Sequence, residues 1–170
     1  MNKLLESADA DTKVTLLDQQ ITDAAQVIVD ILSRFLFESE VVKRRADHVM
    51  SPAELCDIML DAQKKTYGDG LDENCMHKYM WACKSHYYST GLHFYNFPYA
   101  FGLLFGLGVF ALYQEKGEAF LPMYDKLLEA TSSGDVREVA ATVGIDVADV
   151  NFWRKSIDVI VKRIDEFEKL

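Results

Sequence analysis

Residues 86–108, His86 to Gly108, read HYYSTGLHFYNFPYAFGLLFGLG. The stretch holds two of the four histidines, four tyrosines (Tyr87, Tyr88, Tyr95, Tyr99) and one of the three prolines. No Asp, Glu, Lys or Arg stands between Lys84 and Glu115, in a chain where charged residues make up 26%. Such a gap is expected to be the most buried segment of the fold. Phenols and imidazoles must find hydrogen-bond partners when buried, so this is more than a run of core leucines. The polar-aromatic first half reads as a site-bearing turn or broken helix. The apolar second half, with Gly102, Gly106 and Gly108, reads as a tightly packed central helix. Pro98 fits its first turn, where a missing N–H is tolerated, and the helix is expected to run to about Tyr113.

Outward from this stretch the periodicity is helical throughout. Upstream, Leu17, Ile21, Ala24, Ala25, Ile28, Ile31, Leu32 and Phe35 recur at three and four and define one apolar face. Asp18, Gln19, Asp23, Gln26 and Asp30 fall elsewhere on that wheel. Nothing breaks the run before Pro52, so one helix reaching His48 is expected. Ser51-Pro52-Ala53-Glu54 is a capping box with proline at the first helical position. Leu55, Met59 and Ala62 line the helix it starts, and Tyr67-Gly68 ends it through a left-handed glycine. Asp72 can cap a further helix over Glu73–Lys84. Downstream, helices are expected over Glu118–Thr131, Asp135–Val143 and from about Asp149 to Leu170. The last carries an apolar stripe of Phe152, Ile157, Ile160, Val161, Ile164 and Phe167. Met1–Asp11 reads as a loop or a frayed end. No strand alternation, hairpin dipeptide or βαβ rhythm occurs. The expected fold is all-α, an irregular bundle of about seven helices forming a single unit over residues 1–170.

Composition narrows the function classes. Hydrophobic residues make up 49% of 170 residues, enough for a real core. The net charge of −9 argues against nucleic acid and anionic membranes as partners. Cys56, Cys75 and Cys83 form no disulfide framework and point to a reducing compartment with free, mostly buried thiols. A cytoplasmic protein is the expectation. Phe97–Tyr113 is uncharged for 17 residues, at the short limit for a membrane span, and its proline and glycines favour burial between amphipathic helices.

Sequence motifs exclude much of the familiar chemistry. The histidines are 48, 77, 86 and 93, and no two stand one helical turn apart, as the HExxH zinc motif requires. On a continuous helix, Cys75 and His86 would lie about 16 Å apart, too far to share an ion. No phosphate loop, calcium loop, CxxC or GxSxG elbow is present. What remains is the group His86, His93, Tyr95 and Tyr99. His and Tyr are good donors toward a developing oxyanion, and backbone breakers between them can turn them toward one pocket. Read from the residues alone, an aromatic-rich core explains the group better than a site does.

The phrase HYYSTGLHFYNFPYAFGLLFG closely resembles the C-terminal catalytic region of oligoendopeptidase F, a zinc peptidase family related to the thimet oligopeptidases. GIDVADVNFW and SIDVIVKRIDEF resemble the end of the same family. The likeness is good from Tyr67 to Leu170 and weak over the first third. It implies a zincin-like helical peptidase hydrolysing short peptides. In that family a downstream His and Tyr stabilise the tetrahedral intermediate. His86 and Tyr99 match best, with His93 and Tyr95 as alternates, and Phe94, Phe97 and Phe101 are implied to line substrate subsites. The HExxH motif and glutamate ligand have no counterpart here. The resemblance therefore implies a C-terminal part of a larger peptidase, with zinc held by the parent and none by this chain. It further implies self-association where a neighbour has been removed. The other reading is a non-catalytic helical interaction module.

Overall fold

The computed structural model describes residues 2–91 and 94–170. It is all-helical, with no strand among the described residues. The helices are α1 (Asn2–Ser7), α2 (Ala10–Ala25), α3 (Ile31–Arg45), α4 (Pro52–Tyr67), α5 (Met80–Cys83), α6 (Phe97–Lys116), α7 (Leu121–Ala130), α8 (Val136–Ala141) and α9 (Val150–Phe167). Six of them, α2, α3, α4, α6, α7 and α9, have ten residues or more. Two compact units emerge: Thr22–Phe101, and Met1–Ile21 with Gly102–Leu170.

In the unit Thr22–Phe101, a π-helical turn, Gln26–Asp30, joins α2 to α3, and Ile31 N–H donates back to the carbonyl of Gln26. The helix stops at Arg45, short of His48. Instead of continuing the helix, His48 Nε2 meets Glu54 Oε1 at 2.8 Å. The capping box forms as read: Glu54 N–H donates to Ser51 Oγ, and Ser51 N–H donates to Glu54 Oε2 at 2.8 Å. These bonds, with His48, hold the Glu54 carboxyl down at about 2. The core gathers Phe37, Ile58, Met59 and Ala62, with Leu36, Leu55, Trp81 and Tyr87 packed against it. Helix α4 ends at Gly68, with φ +55°.

The expected helix over Glu73–Lys84 is broken into a 3₁₀ turn at Glu73–Cys75 and the single turn α5, and a further 3₁₀ turn follows at Ser85–Tyr87. A buried glutamine grips the chain at the break. Gln63 is 1% exposed. Its Nε2 donates to the His77 carbonyl at 3.0 Å, and its Oε1 accepts from His77 N–H at 3.0 Å. The His77 N–H is thereby held by a side chain instead of a helical carbonyl, while its carbonyl also accepts from Met80 N–H at 3.0 Å, the turn that opens α5.

The other unit has its core at Val109, Phe120, Leu127, Ala140, Val143, Ile145 and Phe152, with Phe105 and Trp153 against it. Trp153 Nε1 donates to the Val147 carbonyl at 2.9 Å, and its ring meets Phe152 edge-on at 5.1 Å. Asp135 and Glu138 form a second capping box at α8, which the sequence reading passed over.

The uncharged central stretch is less covered than expected. In α6 only Leu107, Gly108, Val109 and Ala111 are buried, and Phe97 is 65% exposed. Residues Phe97–Ala130 are long and apolar enough to cross a membrane by length and composition. Glycine packing is also narrower than read. A Cβ on Gly108 would meet the Phe152 ring at 2.5 Å, whereas Gly102 and Gly106 have nothing within 4 Å. On α9, Phe152 and Ile160 are buried, but Ile157, Val161 and Ile164 are exposed. Of the three cysteines, Cys56 is buried, while Cys75 and Cys83 are exposed.

Candidate functional site

The turn that enters α6 brings His86 and Tyr99 together. His86 Nε2 lies 3.0 Å from Tyr99 Oη, and the rings meet edge-on at 6.0 Å. Both side chains are half-buried. Tyr95 packs its ring edge-on against Tyr99 at 5.9 Å and touches Phe97 at 6.1 Å. Phe94 lies elsewhere, against Tyr87 at 6.1 Å. Phe101 is partly exposed on α6, and His93 lies outside the described residues. Of the sequence candidates, therefore, His86 and Tyr99 share a hydrogen bond, and Tyr95 joins them through ring contact.

The backbone explains how residues thirteen positions apart meet. Phe94 N–H donates to the His86 carbonyl at 3.2 Å, closing the loop onto itself, and Asn96 N–H donates to the Phe94 carbonyl at 3.0 Å. Phe94 takes φ +51°, a left-handed conformation uncommon for a bulky side chain. Asn96, 2% exposed, then plugs inward: its Nδ2 donates to Glu38 Oε2 at 2.7 Å. Tyr87 Oη donates to the Arg34 carbonyl at 3.1 Å, a second tie from this turn to α3.

Glu38, Arg34 and Asp30 recur every fourth residue and form a charged stripe on the covered side of α3 and the π turn. Asp30 pairs with Arg34 and accepts from Tyr67 Oη at 2.9 Å. Burial and the adjacent Asp30 push the Tyr67 phenol up to about 12. Burial also raises the Glu38 carboxyl, with the Asn96 hydrogen bond opposing. Tyr87 is raised above the ordinary phenol range, first by burial and then by Glu38.

This stripe was missed in the sequence, where Asp30 was set off the apolar face. The π turn is the cause: one extra residue in a turn shifts the helical phase downstream. The available signal was the i, i+4, i+8 spacing of Asp30, Arg34 and Glu38.

The chemistry of the pair depends on the imidazole proton. With Nε2 protonated, His86 donates to Tyr99 Oη, and the phenol proton is free to donate outward to an oxyanion. With Nε2 bare, the phenol spends its proton on the imidazole. His86 Nδ1 is buried with no partner among the described residues. No three ligating His, Cys, Asp or Glu side chains converge among the described residues. Cys83 Sγ approaches His77 Nε2 at 3.8 Å, only two donors. Among the described residues no donor set fits a tetrahedral zinc ion. Comparison with protein-family models, with curated proteins and with solved structures returns no match.

Proposed function

We propose that this chain is the C-terminal part of a zinc metallo-oligoendopeptidase resembling oligoendopeptidase F, with a zincin-like helical fold, that hydrolyses short peptides in the cytoplasm. Zinc and the general base belong to the parent's HExxH segment. Tyr99, polarised by His86, donates to the oxyanion that forms on the scissile carbonyl. Tyr95 and His93 are the alternates, and Phe97 and Phe101 line substrate subsites, whereas Phe94 packs on Tyr87. The observation that carries the reading is the 3.0 Å bond between His86 Nε2 and Tyr99 Oη, which joins the two residues the HYYSTGLHFYNFPYAFGLLFG resemblance singles out. The net charge of −9 and three free thiols support the cytoplasmic assignment.

Tyr99→Phe in the zinc-containing parent tests this. The ring stays and one hydroxyl goes. Loss of one oxyanion donor lowers turnover on the order of 10²–10³, and kcat and kcat/KM fall together because the bond is made only in the transition state. Zinc content stays intact. Unchanged turnover in Tyr99→Phe with loss in Tyr95→Phe transfers the role to Tyr95. Full turnover in both variants makes the phenols packing residues.

A second reading, a non-catalytic helical interaction module, draws on one observation. An apolar cleft of about 300 Å³ opens beside Tyr113, Phe120, Leu121 and Tyr124. Absence of an HExxH segment from the parent reading frame would favour it.

A further inference from the structure

A cleft of about 510 Å³ opens in the unit that contains α9, away from His86 and Tyr99. Its volume lies within the few hundred to roughly 1,000 Å³ usual for small-ligand sites. Leu17 and Val159, both buried, and Phe110 provide an apolar floor. Around that floor stand four cationic side chains, Lys13, Lys162, Arg163 and Lys169, against one acidic side chain, Glu166. This excess of positive charge sits in a chain whose net charge is −9. Arg163 is the informative member. It is half-buried, and desolvation lowers its affinity for its proton, with Glu166 only partly opposing. Among the described residues Glu166 acts on it through its charge, without a close salt bridge. A partly desolvated guanidinium that one neighbouring carboxylate offsets only in part is unfavourable, and an incoming anion relieves it.

We propose that this cleft binds a small amphipathic carboxylate, its alkyl chain on the Leu17–Phe110–Val159 floor and its head group on Arg163, flanked by Lys162 and Lys169. A simple inorganic anion leaves the floor wet, and a neutral hydrocarbon leaves Arg163 only partly offset. Only a ligand with both parts satisfies both halves of the site. This is independent of the catalytic reading of the His86–Tyr99 pair.

Titration of the full chain with decanoate, below micelle-forming concentrations, tests it. Side-chain NMR signals of Arg163 Nε–H and of the Leu17 and Val159 methyls report the site directly. Saturable shifts are expected, with affinity rising roughly two- to fourfold per added methylene from hexanoate to decanoate. Decanol, which lacks the charge, and Arg163→Gln should each weaken binding about tenfold, the scale of one charge-assisted hydrogen bond. Should Arg163→Gln disturb the fold, the exposed pair Lys162→Gln and Lys169→Gln carries the same test, with weaker binding expected. Non-saturable shifts, affinity independent of chain length, decanol binding as well as decanoate, or charge-removing variants with unchanged affinity would each overturn the proposal.

Discussion

Glu38 faces a conflict that a single substitution can expose. It is 5% exposed, and among the described residues its hydrogen-bond partner is the Asn96 amide. Its raised pKa means the folded chain holds the Glu38 proton more tightly than the unfolded chain does. Its contribution to stability is therefore fully present below the ordinary value of about 4.5 and lost as pH rises through the raised value. Glu38→Gln keeps an acceptor for Asn96 and removes the ionisation. The difference in denaturation midpoint between variant and parent chain should then grow in the variant's favour from acid to neutral pH. A constant difference across that range would show that Glu38 does not titrate between the two states. The candidate site was legible in the sequence where side-chain type carried the signal, as with His86 and Tyr99. Its supports, Asn96 and Glu38, lie 58 residues apart, and no local pattern links them.

At the scale of elements, α6 holds two kinds of glycine. Gly108 lies where a methyl group would strike the buried Phe152 ring at 2.5 Å and Ser156 Oγ at 2.8 Å. Phe152 is held by Phe105 and Trp153 and cannot withdraw freely. Gly108→Ala should destabilise by about 1–3 kcal/mol, the usual penalty for overpacking. Gly102 and Gly106 face open space, so alanine there should add about 0.5–1 kcal/mol through helix propensity alone. Chemical denaturation of the three single variants decides both, and equal effects at all three positions would refute the distinction. Helix starts were readable because Ser51 and Glu54 announce themselves three residues apart. The break in Glu73–Lys84 was not, because the His77 N–H there is held by Gln63, a polar residue on the covered face of α4 fourteen residues away.

For the whole molecule, apolar surface exceeds what each unit covers. Ile157, Val161 and Ile164, at i, i+4 and i+7 on α9, are 37%, 45% and 37% exposed. A continuous apolar stripe of this kind favours association. Sedimentation should show mass rising with concentration, and Val161→Glu should suppress the rise. A constant monomer mass up to high concentration would remove the expectation. The same preparation, dialysed and assayed, should hold no stoichiometric zinc and cleave no fluorogenic peptide, because three ligands do not converge among the described residues. Stoichiometric zinc with turnover would contradict that outcome. The helical class was legible because a 3.6-residue period runs through most of the chain. The exposure of its apolar stripes was not, because periodicity marks a face without saying what meets it.

The placement of the two tryptophans has a practical consequence. Trp81 packs on the core of Thr22–Phe101, and Trp153 packs beside Phe152 in the other unit. Each half of the chain thus carries its own built-in fluorophore. Trp81→Phe leaves an emission spectrum that reports Trp153 alone, and Trp153→Phe leaves one that reports Trp81. The melting of either half can be followed optically with no label attached.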